Sequence, residues 1–121
     1  MSGSRDLAVA AARAAAGKQA SQIVILDVGE LIGITDYFVI ASGTTDRQVR
    51  TVAEEIERAV KAHGVKPVRR EGQHEGRWVL LDFVDFVAHV FRGEEREYYD
   101  LERLWADAPT VDWEAPVVRS G

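Results

Sequence analysis

Asp27, Asp36, Glu55, Glu57, Asp82 and Asp85 are the carboxylates whose spacing bears on catalysis. Nucleotidyl transfer requires carboxylates converging on two metal ions about 3.5–4 Å apart, and on a strand an i, i+2 pair aims both at one side. No strand carries such a pair. Asp82 and Asp85 are three apart around a turn, Glu55 and Glu57 diverge on a helix, and Asp27 and Asp36 stand singly. Gly43 and Thr44 lie ahead of a helix and could cradle phosphate, but one glycine is a weak signature that a capped helix start also explains. His63, His74 and His89 are too widely spaced for a zinc site. His89 shares a strand face with Val87 and Phe91, so a core-edge histidine making one hydrogen bond is favoured over a catalytic base. With no cysteine, and no acid–base partner for Ser42, nucleophilic catalysis has no cast. The residues predict a protein that is not an enzyme and holds no metal or cofactor.

A different constellation lies in "GRWVLLDF", Gly76 to Phe83. Strand alternation puts Trp78, Leu80 and Asp82 on one side and Arg77, Val79 and Leu81 on the other. Both sides are partly apolar, so Trp78 can fill the core or wait on a surface. Val79 and Leu81 offer a packing face for helices, which frees the other side to point outward. An aromatic–aliphatic pair beside acids also has the composition of an interface centre and rim.

The 121 residues suit one domain. A hydrophobic fraction of 46% and a charged fraction of 29% are ordinary for a soluble globular protein. No apolar run approaches the ~20 residues of a membrane span. Met1 to Gly17 carries Asp6 and Arg13 and lacks the blocks of a secretory signal, and the absence of cysteine is compatible with a reducing cytoplasm. The net charge of −5 is uneven: residues 1–81 hold 11 basic and 10 acidic side chains, 82–121 hold 4 and 10. An acidic last third disfavours direct nucleic-acid binding and suits a basic protein partner or a simply solvated surface.

These side chains need elements to position them. Ser4 is placed to cap a helix from Arg5 to about Ala16, closed by Gly17. Strands are predicted at Ile23–Val28 and within Ile34–Ser42, with "GELIG" between them as a turn. Thr45 and Gln48 make a capping box for a helix bearing Val49, Val52, Ala53, Ile56 and Val60, stopped by Gly64. Short strands follow at Val65–Arg70, Arg77–Asp82 and Phe86–Phe91, the last two joined as an antiparallel hairpin. "EEREYYDLERLW" reads as a helix with Tyr98, Leu101, Leu104 and Trp105 in one stripe and one of Tyr98 and Tyr99 packed inward. The order implies an α/β fold, a mixed sheet of about five strands with packed helices, and a parallel crossover through the long helix. Residues 1–106 form the single domain and 107–121 a flexible tail.

Several stretches, "LDVGELIGITDYFVIASGTTDRQVRTVAEEI", "EGRWVLLDF", "VAHVF" and "EEREYYDLERLW", resemble the ribosomal silencing factor family, also called Iojap. The resemblance implies a nucleotidyltransferase-like fold without the catalytic carboxylates, often homodimeric. It implies binding to the large ribosomal subunit through ribosomal protein fourteen, a steric block to small-subunit joining, and lowered translation when nutrients are scarce. The family's tryptophan matching Trp78 contributes to that contact, and a histidine is kept at His89. The implied partner-binding set is Trp78 and Leu80 as apolar anchor, Asp82 and Asp85 as charge partners, Glu94, Glu95 and Tyr98 at the rim, and His89 on the same face. The alternative is a nucleotide-binding or nucleotidyltransferase-like enzyme using Gly43 to Asp46. Many members place glycine where this chain has Val84; valine resists a positive φ, so the turn is expected to differ, which bears on where Asp85 lies.

Overall fold

A computed structural model describes residues 3–114. The strands are β1 (Ser21–Asp27), β2 (Tyr37–Gly43), β3 (Arg69–Glu71), β4 (Trp78–Asp82) and β5 (Phe86–Arg92), and they form one sheet in the order β1-β2-β5-β4-β3. β2 and β5 pair in parallel, and all other neighbours are antiparallel. It is the mixed α/β sheet that the order of elements predicts. β3 runs parallel to β2, as a crossover through a helix requires, but β5 and β4 lie between them.

Helices α1 (Ser4–Gly17) and α3 (Asp46–Lys61) cover one face of the sheet. Ala8, Ala11, Ala12 and Ala15 of α1 are fully buried, and their small side chains let the backbone approach Val49, Val52, Ile56 and Val60 of α3. Beneath them lie Ile25, Val39, Ala41, Val79, Leu81, Ala88 and Val90, one residue in two from four strands. Each fully buried valine, isoleucine or leucine contributes about 1.5–3 kcal/mol of burial, so this layer is the main stabilising core.

The caps differ in detail from expectation. Thr45 Oγ1 accepts from the Gln48 N–H at 3.0 Å, as predicted, but Gln48 Oε1 accepts from the Thr44 N–H at 2.8 Å, one residue before the capping-box position. Ser4 is not the cap of α1; it lies within the first turn, and its hydroxyl donates to Asp36 Oδ2 at 3.0 Å. "GELIG" forms a single-turn helix, α2 (Gly29–Ile32), closed by Gly33 at φ +80°. β3 starts later than predicted, because Pro67 brings no N–H and ladder pairing begins only with the Val68 N–H bonding Asp82 O at 2.8 Å.

The last helix is two helices, α4 (Gly93–Tyr99) and α5 (Leu101–Leu104), separated by Asp100 at φ +46°. That break resets the helical phase. The predicted stripe therefore divides: Leu101 and Trp105 pack inward, while Tyr98 and Leu104 stay exposed.

Packing continues past Ala106, where the domain was expected to end. Ala108 and Val111 are buried, the Asp27 N–H bonds Pro109 O, the Val111 N–H bonds Ile25 O, and Trp113 Nε1 donates to Ile23 O. This segment screens the edge of β1, whose open N–H and C=O groups would otherwise template another strand. The rest of the expected tail, residues 115–121, lies outside the described residues.

Candidate functional site

The sheet's second face is built by the residues that alternate with the core. Strand register sets them in rows: Val24, Ile40, His89 and Leu80; Leu26, Phe38, Val87 and Asp82; Ser42, Phe91 and Trp78. α4, α5 and Trp105 cover this face only in part. Arg96 of α4 is buried, donates to Ser42 Oγ at 2.9 Å and pairs with Glu102 at 3.0 Å, which fixes both short helices over one end of the face. Trp105 meets Phe38 edge to face at 6.0 Å. Leu80, Asp82 and Val87 lie beyond this cover, half-buried.

Trp78 is neither a core residue nor a free one. Its ring stacks on Phe91 at 4.8 Å and meets Tyr99 at 4.5 Å, and its indole N–H donates to His89 Nδ1 at 3.1 Å. Desolvation lowers the His89 pKa to about 4, so the imidazole is neutral at pH 7. Since Nδ1 accepts, the proton sits on Nε2, which is buried and has no hydrogen-bond partner among the described residues.

Two concavities flank Leu80. One, about 340 Å³, has Ile32, Thr35, Phe38, Leu80, Val87 and His89 as walls, with Arg69 and Asp82 at one side and the exposed Ile34 and Val84 at the rim. The other, about 470 Å³, is floored by Trp78, Leu80 and Tyr99 and edged by Glu71, Glu75, Glu95 and Arg77. Glu95 Oε1 stands 3.7 Å from Arg77, while its buried Oε2 has no hydrogen-bond partner among the described residues. Three carboxylates against one guanidinium make this second groove acidic above an aromatic floor.

Of the residues singled out in the sequence, Trp78, Leu80, Asp82, His89 and Glu95 line these two grooves. Tyr98 is exposed and leans edge to face on Tyr99 at 5.1 Å. Tyr99 is the less exposed of the two at 44%, and it packs on Trp78 and Phe91 rather than with Leu101 as expected. Glu94 lies apart, 3.4 Å from Arg92, which also holds Asp46. Asp85 is exposed and lines neither groove; its carbonyl accepts from the Asp36 N–H at 2.8 Å. Val84 takes the left-handed φ of +74° that was expected to be avoided. Asp82 Oδ1 accepts from the Val84 N–H and the Asp85 N–H bonds Phe83 O, closing a γ-turn around it.

Sequence reasoning missed Phe38, Thr35, Ile34 and Val87. Phe38 enters because β2 pairs with β5 and sets it beside Val87, a long-range pairing that local pattern does not carry. Ile34 was expected at the start of a strand, but β2 begins only at Tyr37, which leaves Ile34 in a loop and 83% exposed.

At the start of α3, the Thr44 N–H is taken by Gln48, Thr45 is the cap, and Asp46 pairs with Arg92. Among the described residues no group of three or more His, Asp or Glu side chains could hold a metal, and no helix is long and apolar enough to cross a membrane.

Fold and site define a mixed α/β domain with one face sealed by helices and the other left open, aromatic and acid-edged. The family model "Ribosomal silencing factor during starvation" matches residues 2–120. The Bacillus subtilis ribosomal silencing factor RsfS is 44% identical over 102 residues, 84% of this chain and 86% of that protein. The mouse protein "Mitochondrial assembly of ribosomal large subunit protein 1" is 33% identical over 91 residues, 73% of this chain and 40% of its own. A crystal structure of a Chromobacterium violaceum protein superposes with a TM-score of 0.84 at 30% identity, covering 99% of this chain and 95% of that one. The chain belongs to the ribosomal silencing factor family.

Proposed function

We propose that this protein is a translation repressor that docks its open sheet face on the large ribosomal subunit, through ribosomal protein fourteen, and sterically keeps the small subunit from joining. The observation that carries the reading is the stripe from Tyr99 and Trp78 through Leu80 to Val87, with Ile34 and Val84 beyond it. Its apolar centre and charged margin have the anatomy of a protein interface. The acidic edge of Glu71, Glu75 and Glu95 suits lysine or arginine on the partner, and Trp78 and Tyr99 beneath add cation–π attraction. Names among the relatives, ribosomal silencing and assembly of the large subunit, support the same direction.

The reading is non-enzymatic, cytoplasmic and directed at a protein rather than at nucleic acid. The start of α3 supports it, because the Thr44 N–H and hydroxyl are already bonded to Gln48, the Gln48 N–H is bonded to Thr45, and the Asp46 carboxylate beside them disfavours a phosphate. When no ribosome is present, the free chain forms a homodimer.

The test is co-sedimentation of the purified chain with large subunits, with a photo-crosslinker in place of Leu80. Capture of ribosomal protein fourteen, together with a reduced yield of joined subunits by light scattering, is the expected result. A cross-link to ribosomal RNA alone, or unchanged joining, would overturn it. Calorimetry with nucleoside triphosphate and magnesium should give no saturable heat.

A further inference from the structure

The groove between Phe38 and Leu80 contains two buried polar atoms without a partner among the described residues, His89 Nε2 and Thr35 Oγ1. His89 is 5% exposed and Thr35 8%, so bulk water does not satisfy them freely. The imidazole offers a donor, because its other nitrogen is occupied by Trp78. The hydroxyl can donate or accept. The remaining walls, Ile32, Phe38, Leu80 and Val87, are apolar, and Arg69 and Asp82, opposite one another in the β3–β4 register, bring one charge of each sign. A cation would meet an N–H donor, and an anion would meet Asp82. A neutral group with one acceptor and one donor beside an apolar moiety fits both orphans.

We infer that this groove receives one peptide unit of the partner protein, its carbonyl accepting from His89 Nε2–H and its N–H donating to the Thr35 hydroxyl, with an apolar side chain seated against Phe38, Leu80 and Val87. The inference rests on the docking face proposed above and assigns the partner's chemistry at this end of it: a neutral, apolar segment, whereas the Trp78 end takes a basic one.

The test compares binding of labelled protein to large ribosomal subunits for four variants. Thr35→Val removes only the hydroxyl and should weaken binding ~3–10-fold while leaving thermal stability unchanged or raised, since the buried group it removes has no hydrogen-bond partner among the described residues. His89→Asn keeps an acceptor near Nδ1 for Trp78 but lacks the distal donor, and should weaken binding ~5–10-fold; His89→Gln carries an amide N–H to the distal position but leaves the Trp78 indole without its acceptor, and should recover only part of that loss. If Trp78→Ala weakens binding but Thr35→Val and His89→Asn bind as the natural chain does, this inference is wrong and the docking face stands. If Trp78→Ala binds unchanged, or the natural chain does not bind at all, the docking face falls and the inference with it. A small apolar molecule retained in the purified protein, detected by native mass spectrometry and lost in Thr35→Val, would also overturn it.

Discussion

The indole N–H of Trp78 donates to Nδ1 of His89 across 3.1 Å, linking the middle of the open face to its most buried polar residue. This bond exists only while the imidazole is neutral. The rotamer of the aromatic anchor and the protonation state of His89 are therefore one variable.

The fold holds the His89 pKa at about 4, against an ordinary 6.5, because burial disfavours the charged ring. Between those values the unfolded chain binds a proton that the folded chain does not, so stability rises with pH across that window and is flat above it. Linkage gives a change on the order of 3 kcal/mol over the full window. Urea titrations at about pH 4.5 and about pH 7 should show it, and since carboxylates also titrate, the decisive quantity is the difference from His89→Gln. An identical pH slope in the variant would refute the assignment.

Trp78→Ala should weaken large-subunit binding at least ~30-fold. Because the ring also stacks on Phe91 and Tyr99, the variant should lose about 2 kcal/mol of stability yet still unfold cooperatively. Trp78→Phe should keep most of the stability. Circular dichroism melts alongside the binding assay separate the two effects, and a variant that does not fold would make Trp78 a core residue.

Val84 holds φ at +74°, a conformation that a β-branched side chain resists. Val84→Gly should relieve that strain at a smaller cost in unfolded-state entropy, a net gain of about 1 kcal/mol, or a melting temperature higher by about 4 °C. Calorimetric melting checks it, and a fall in melting temperature would show that the valine side chain contributes more than the strain removes.

Arg96 is 6% exposed and joins α4 to Ser42 of β2 and to Glu102 of α5. Arg96→Ala removes these partners and should cost on the order of 3 kcal/mol, since it leaves buried polar groups unpaired. Hydrogen exchange should quicken first in α4 and α5. Protection unchanged there would mean that Trp105 and Leu101 alone hold those helices.

How much of this was legible in the chain is clearest in particular residues. The alternation of Trp78, Val79, Leu80 and Leu81 correctly put Trp78 and Leu80 on one side and Val79 and Leu81 on the other, because strand period is a local property of the backbone. It left open which side is the core, since both are apolar. Thr45 and Gln48 marked the start of α3 for the same reason, a cap being a contact across three residues. The single long helix after Gly93 was wrong because Asp100 adopts a left-handed φ, and Ser4 was misread as a cap because its hydroxyl had a distant alternative in Asp36.

By itself, then, the sequence determined the elements, the mixed α/β class, the acidic last third and the identity of the tryptophan face, all consequences of short-range periodicity and composition. Only the tertiary structure decided that β2 lies beside β5, which carries Phe38 to Val87 and His89, and so made a groove from residues about fifty positions apart. It also decided that His89 is desolvated and bonded to Trp78, leaving one donor facing the groove. Burial and hydrogen-bond partnership depend on which strands become neighbours, and strand order is fixed by the packing of the whole sheet rather than by any segment of it.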